Sequence, residues 1–436
     1  MSIFTSNIEL SSDNYPTIRP TLDLNFAATK TLDRRITFTR DSVGTFTDEN
    51  GMVKYASNNV PRFDHDPTTG ESLGLLIEES RTNILYGTPS QSSTINSYNQ
   101  YNSLTGKYDA TKLAKNAPGN SQSHGAWDWS GNLSTTSFVM SIFVKKINHA
   151  SFFIQMISSG AGTNLYVYYN IDTKVTSIVD NGSSTDPTVT RSIENYGDGW
   201  FRLVARVEGF ANSALHSGIR FGFASGGSDT QQYQDTSDEV LIYGAQAEVG
   251  DFATSYIPTH ESTTSVTRGA DTTTIKGTNF TDFYNQSEGT IVSSHSILEG
   301  IPATHNLYTY QVAPDSGTSE APFRLIDKNS SYGNTLVATS INSSSNVCFF
   351  KASGDPVTVA NTKMKVAFAI KKDDFAVSFN GTATQTDTAG LVSGANDHLS
   401  IGYYKPSPQA YLNGHIQQIS YYPKRLTDAQ LQNLTK

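Results

Sequence analysis

The chain has 436 residues, enough for roughly three average domains, and its 31 Lys and Arg against 40 Asp and Glu give a formal net charge of -9. With 36% hydrophobic and 11% aromatic residues it has the apolar content that disordered chains lack, and its 16% charged residues form no basic stripe that would gather phosphates, which excludes a nucleic-acid partner. A single cysteine excludes internal disulfides and cysteine-based zinc sites.

Residues 1–21 show no periodicity and include Pro16 and Pro20, so they are expected to form an extended arm. Short strands begin at Leu22. Two hairpins follow, one turning at Asp48-Glu49-Asn50-Gly51 and one at Asp66-Pro67-Thr68-Thr69-Gly70, and residues 22–85 are read as a small β-rich module. Residues 86–260 carry many alternating strands separated by polar turns, among them Ser137 to Val144, Asn164 to Asn170 and Trp200 to Val207, which predicts a β-sandwich. Residues 261–273 are Ser/Thr-rich with little apolar content and read as a linker. Residues 274–436 repeat the sandwich pattern, with Asn380-Gly381 as a hairpin turn and Cys348 as a small buried thiol in an apolar run. One helix is expected at the end, because Thr427 and Gln430 have capping-box spacing and Leu426, Ala429, Leu431 and Leu434 make one apolar face. The fold class is therefore all-β, two sandwiches behind a small module. No run of about 18 apolar residues occurs and Met1 to Leu10 has no signal-peptide pattern, so a protein without a membrane span, made in a cytoplasm, is expected.

Several stretches carry a resemblance. Arg35-Ile36-Thr37-Phe38-Thr39-Arg40, the run from Pro61 to Pro67, and Gly74 to Asn83 resemble the N-terminal module of many bacteriophage tail, fibre and other structural proteins. Gly197 to Arg202, Tyr243 to Glu248 and Ala253 to Thr259 resemble the carbohydrate-binding-module-like jelly roll that follows it, and Leu412 to Ile416 with Ile419 to Leu431 are similar to the end of concanavalin A-like or laminin G-like sandwiches. The resemblance implies a virion building block made in the host cytoplasm, joined to other virion proteins through the N-terminal module. It implies no assured enzymatic activity.

Candidate binding residues centre on Trp127 and Trp129, two apart among small and polar residues, so that on a strand they share one face. Two readings stand. The rings form a platform for a sugar whose hydroxyls reach His124, Asp128 and Asn132, or they fill the jelly-roll core, as Trp200 is expected to do. Asp64, Asp66 and Glu71 have oxygens at spacings that suit Ca²⁺, but Asp-x-Asp-Pro before Thr-Thr-Gly is also ordinary turn capping. No other cofactor is expected. The facing carboxylate pair that glycan hydrolysis needs is not visible, since Glu78 and Glu79 are chain neighbours, and no catalytic residue is assigned. The expected function is a fibre or tail-associated adhesin binding host surface glycans. The alternative is a capsid or tail decoration protein, and a depolymerase would need the missing pair. Heptads are absent, so homo-oligomers stay open.

Overall fold

The computed structural model describes residues 13–91, 94–115, 124–129, 137–157, 164–181, 187–210, 219–224, 238–259, 262–301, 305–315, 320–329, 335–342, 345–352, 360–392, 394–405 and 410–436. The protein is all-β, and among these residues only Phe26–Thr29, Thr278–Thr281 and Asp428–Leu434 are helical. None of these helices is long and apolar enough to cross a membrane.

Alternation builds the middle sandwich as expected. One six-stranded sheet runs Thr188–Asn195, Trp200–Glu208, Phe138–Lys146, Glu239–Val249, Lys107–Lys115, Thr94–Asn102. The other runs Thr176–Asn181, Asn164–Asn170, Ser151–Ile157, Ile219–Phe223, His124–Trp129, Leu85–Gln91. Phe138, Met140, Ile142 and Val144 meet Leu165, Val167 and Tyr169 in a core drawn entirely from this part of the chain. On the far side of the first sheet Trp200 is fully buried and its indole N–H donates to Ser103 Oγ at 3.1 Å, which confirms it as a core residue.

The other sandwich is discontinuous. Its larger sheet runs Gln385–Asp387, Phe375–Phe379, Met364–Lys371, Glu288–Ile297, Gly414–Tyr422, Ser72–Ile77, Phe63–His65, with Leu22–Asn25 also paired on Gly414–Tyr422. The facing seven-stranded sheet begins with Thr37–Thr39 beside Thr272–Lys276. Leu22, Leu24, Phe26, Phe38, Phe63, Leu75 and Ile77 therefore pack in one core with Tyr310, Phe323, Phe368 and Tyr421. Each fully buried apolar side chain contributes about 1.5–3 kcal/mol. Inside Ser72–Ile77, opposite Asp64 and beside the register shift in its pairing with Phe63–His65, Gly74 has φ +90°, and a Cβ there would run into the Ile416 carbonyl.

Residues 22–85 and 274–436 were expected to be separate, and this is corrected: they are two parts of one sandwich, with the jelly roll inserted between them. The ends of the insertion lie side by side. Gly87 N donates to Thr259 O at 3.3 Å, and Asn83 bridges them, its Nδ2 donating to Ile257 O at 3.0 Å and its Oδ1 accepting from Ala247 N at 3.0 Å. The 261–273 linker is also corrected. Val266–Arg268 pairs with Arg81–Asn83, and Arg268 and Asp271 are fully buried. Composition suggested a linker because the charges that hold this segment, Arg268 and Asp271, pair with residues 190 to 231 positions away.

From residue 13 onward the arm lies against the C-terminal helix of the same chain; residues 1–12 lie outside the described residues. Asn433 Nδ2 donates to Asn14 O at 3.0 Å, Gln430 Nε2 to Tyr15 O at 3.3 Å, and Ile18 packs beside Leu426 and Leu431. The helix itself matches its sequence reading except at Ala429, which is exposed and not part of the apolar face. Thr427 and Gln430 close a capping box, and Leu426 and Leu431 bury against Ala367, Ala369 and Ala376. Cys348 is buried, and loss of solvation pushes its thiol up to about 12.

Candidate functional site

A fully buried ionic cluster fixes the junction between the two sandwiches. Glu78 Oε2 accepts from Arg62 Nη1 at 2.6 Å, Arg268 Nη1 at 2.7 Å and Ser255 Oγ at 2.7 Å, while Oε1 accepts from Ser255 N at 2.7 Å. Asp271 pairs with Arg40 at 3.1 Å and with Arg62. Burial alone would raise the Glu78 carboxyl, but the Arg268 and Arg62 charges and the Ser255 hydrogen bonds hold it well below the usual carboxylate range. Neighbouring Glu79 serves other partners, Arg81 at 2.8 Å and Asn413 Nδ2 at 2.9 Å.

Beside this cluster lies a cavity of about 350 Å³. Its floor is the outer face of the sheet that carries Thr188–Asn195 and Trp200–Glu208, where strand alternation turns Thr190, Ser192 and Glu194 toward it. The two hairpins of the first segment supply Thr47, Asp64 and Asp66, the end of the jelly roll supplies Asp251, and the returning segment supplies Ser296, Glu299, Asn361 and His415. The walls are held firmly. Asp64 accepts from Thr47 N at 2.6 Å and meets His415 Nε2 at 2.9 Å. Arg202 donates to Ser141 Oγ at 3.0 Å and Thr254 O at 2.7 Å and lies 5.5 Å from the Phe143 ring centre, with Tyr196 edge-on to that ring at 4.8 Å. The stretch 254–257 is pinned by Gln246 Oε1 accepting from Ile257 N at 2.6 Å and Glu248 Oε2 accepting from Thr254 N at 3.2 Å. Burial, with Glu299 nearby and against the pull of Arg202, raises the Glu194 carboxyl above its ordinary value.

His124, Trp127, Asp128 and Trp129 lie on His124–Trp129, an interior strand of the other sheet and not at this cavity. In register, Trp127 is opposite Ile219, Trp129 opposite Leu85, and Asp128 opposite Tyr86; Ile219 and Leu85 belong to the core between the sheets. The side chains of these four residues, and Asn132 altogether, lie outside the described residues. Of the three oxygen-bearing residues considered for Ca²⁺, Asp66 caps its own turn, accepting from Thr68 N and Thr69 N at 2.8 Å, and Asp64 is taken by Thr47 and His415. No group of three His, Cys, Asp or Glu among the described residues is arranged to hold a metal ion. The residues sequence reasoning missed are Glu194, Arg202, Tyr196 and His415. The alternation Thr190-x-Ser192-x-Glu194 was a readable signal of a polar strand face, but the cavity it floors needs three distant segments.

No family model and no curated protein matches the chain. Among solved structures it is similar to the toad ovary galectin in complex with N-acetylgalactose, at 12% identity over 32% of this chain and 92% of that one, with a TM-score of 0.24. It is also similar to domain 4 of AbnA, an extracellular arabinanase from Geobacillus stearothermophilus in complex with arabinotriose, at 14% identity over 43% and 84% with a TM-score of 0.30. Trypanosoma rangeli sialidase matches at 10% identity over 75% of this chain and 60% of that one, with a TM-score of 0.29. None of the three is a bacteriophage protein, and likeness at this level assigns no function to this chain.

Proposed function

We propose that the protein is a saccharide-binding structural component of a bacteriophage particle, and that the cavity beside Glu194 takes the sugar. The observation that carries the binding reading is the cavity, whose volume of about 350 Å³ suits a small ligand and whose lining mixes hydroxyls, carboxylates, the amides of Asn195 and Asn361 and the rings of Phe143 and Tyr196. Hydroxyl groups find donors and acceptors there, and sugar C–H faces find aromatic carbon. The particle role is supported by the sequence resemblance at 35–40, 61–67 and 74–83, stretches that include Arg40, Arg62 and Glu78 of the buried cluster.

We propose binding without turnover: of the six carboxylates lining the cavity, Asp64, Asp66 and Glu78 are committed to His415, the 66–70 turn and the arginines, and Glu194, Asp251 and Glu299 are left to accept hydrogen bonds from sugar hydroxyls. Titration calorimetry against neutral, amino and acidic mono- to trisaccharides is expected to give saturable binding for at least one. Thr190→Trp, which fills the cavity, is expected to remove that binding while the melting temperature holds. Indifference to Thr190→Trp, or no binding across the panel, overturns the assignment, and release of new reducing ends from a bound oligosaccharide overturns the absence of turnover.

A further inference from the structure

Most described tyrosines are buried, but three of the four that are strongly exposed sit on one hairpin: Tyr98 at 40%, Tyr101 at 54% and Tyr108 at 71%. The hairpin joins Thr94–Asn102 to Lys107–Lys115 at one edge of its sheet. The Glu194 strand forms the opposite edge, five strand spacings or about 24 Å away, so this surface is separate from the cavity. Exposed rings gathered in one place contribute little to the fold and mark an interaction surface.

The local structure presents these rings on a fixed base. Asn102 Nδ2 and Thr105 Oγ1 both donate to Asp109 Oδ1 at 2.8 Å, Asn99 adopts φ +56°, and the pairing shifts register twice between Lys107 and Lys112. The Tyr101 and Tyr108 rings stand 5.4 Å apart at 61°, which makes an open corner of two aromatic walls. Nearby charges are already engaged. Lys107 Nζ lies 4.6 Å from the Tyr55 ring centre and Lys112 pairs with Glu239 at 2.6 Å.

We propose that Tyr101 and Tyr108 form a stacking platform for a neutral oligosaccharide. A pyranose offers a ring-sized C–H patch to one aromatic face while its hydroxyls reach the second phenol and the amides of Asn99 and Gln100. No exposed aliphatic side chain lies on this hairpin among the described residues, so the apolar surface is confined to ring faces, which suits a sugar better than a protein core residue. With its charges engaged, the surface selects neutral over anionic chains.

The probes are hexamers of glucose and of N-acetylglucosamine, with a hexamer of galacturonic acid as the charged comparison, titrated into the full chain and into Thr190→Trp so that the cavity's contribution is separated. Each of Tyr101→Ala and Tyr108→Ala is expected to weaken neutral-hexamer binding about ten-fold, as loss of an aromatic stacking partner does elsewhere, with no change in melting temperature. The Phe variants are expected to keep most of the affinity. Binding unchanged in the double Ala variant, no binding of either neutral hexamer, or tighter binding of the galacturonic acid hexamer overturns the proposal. Sedimentation in which the double Ala variant turns an oligomer into a monomer also overturns it, by assigning the rings to self-association.

Discussion

Replacing Glu78 by Gln removes one of two negative charges from a buried site that holds three guanidiniums, Arg40, Arg62 and Arg268. The amide nearly preserves shape, so the effect isolates charge. Breaking one partner of a buried, hydrogen-bonded pair costs about 3–5 kcal/mol, because the remaining charges are left uncompensated away from water. In a cooperative unit of the size of the composite sandwich this corresponds to a fall in melting temperature of about 6–20 °C. The pH dependence has a definite sign. The Glu78 carboxyl is depressed in the folded state, so its contribution is complete above the unfolded value of about 4.3 and is lost as pH falls below it. Urea titrations of wild type and Glu78→Gln at pH 7 and pH 3 read both quantities. A difference below about 1 kcal/mol at pH 7, or one that does not shrink at pH 3, would refute the claim that this cluster holds the two halves together.

Two further outcomes are expected. A fragment of residues 272–436 should show no cooperative melting, because it lacks Leu22–Asn25 and Ser72–Ile77, two of the three strands that pair with Gly414–Tyr422, whereas residues 84–259 should melt cooperatively alone; a sharp transition in the first fragment refutes the composite sandwich. Burial and Lys405, against the opposing pull of Asp315 and Asp397, with Lys276 also near, lower the His398 imidazole to about 4, so its neutral form contributes stability that is full above about pH 6.5 and is lost as pH falls toward 4. His398→Gln should flatten that slope in urea titrations from pH 7 to 4, and an unchanged slope refutes it.

Local features were legible in the sequence and long-range ones were not. The capping box at Thr427 and Gln430, the turn at Gly51 with φ +75° and the alternation of Phe138–Lys146 follow from residues within a few positions of each other. The pairing of Leu22 with Tyr421 and of Phe38 with Thr273 does not, since no local pattern names a partner across the chain. The 261–273 stretch was misread for the same reason: Arg268 and Asp271 look like surface charges until Glu78 and Arg62 are placed beside them. The cavity was illegible because its walls come from three segments, while the paired tryptophans drew attention to a strand on the other sheet.

The inserted jelly roll also sets a timetable for biogenesis. During synthesis Leu22–Asn25 leaves the ribosome about 400 residues before its partner strand, a wait of roughly 20–80 s at ordinary elongation rates. The intervening jelly roll needs only its own residues for its core and can close in that time. Leu22, Leu24, Phe26, Leu75 and Ile77 meanwhile have no finished sheet to cover them, so the nascent chain carries an adhesive apolar segment until its last strands emerge. Yield in a host cell is then governed by how well that early segment is shielded, and translation speed and chaperone supply become determinants of how much native protein accumulates.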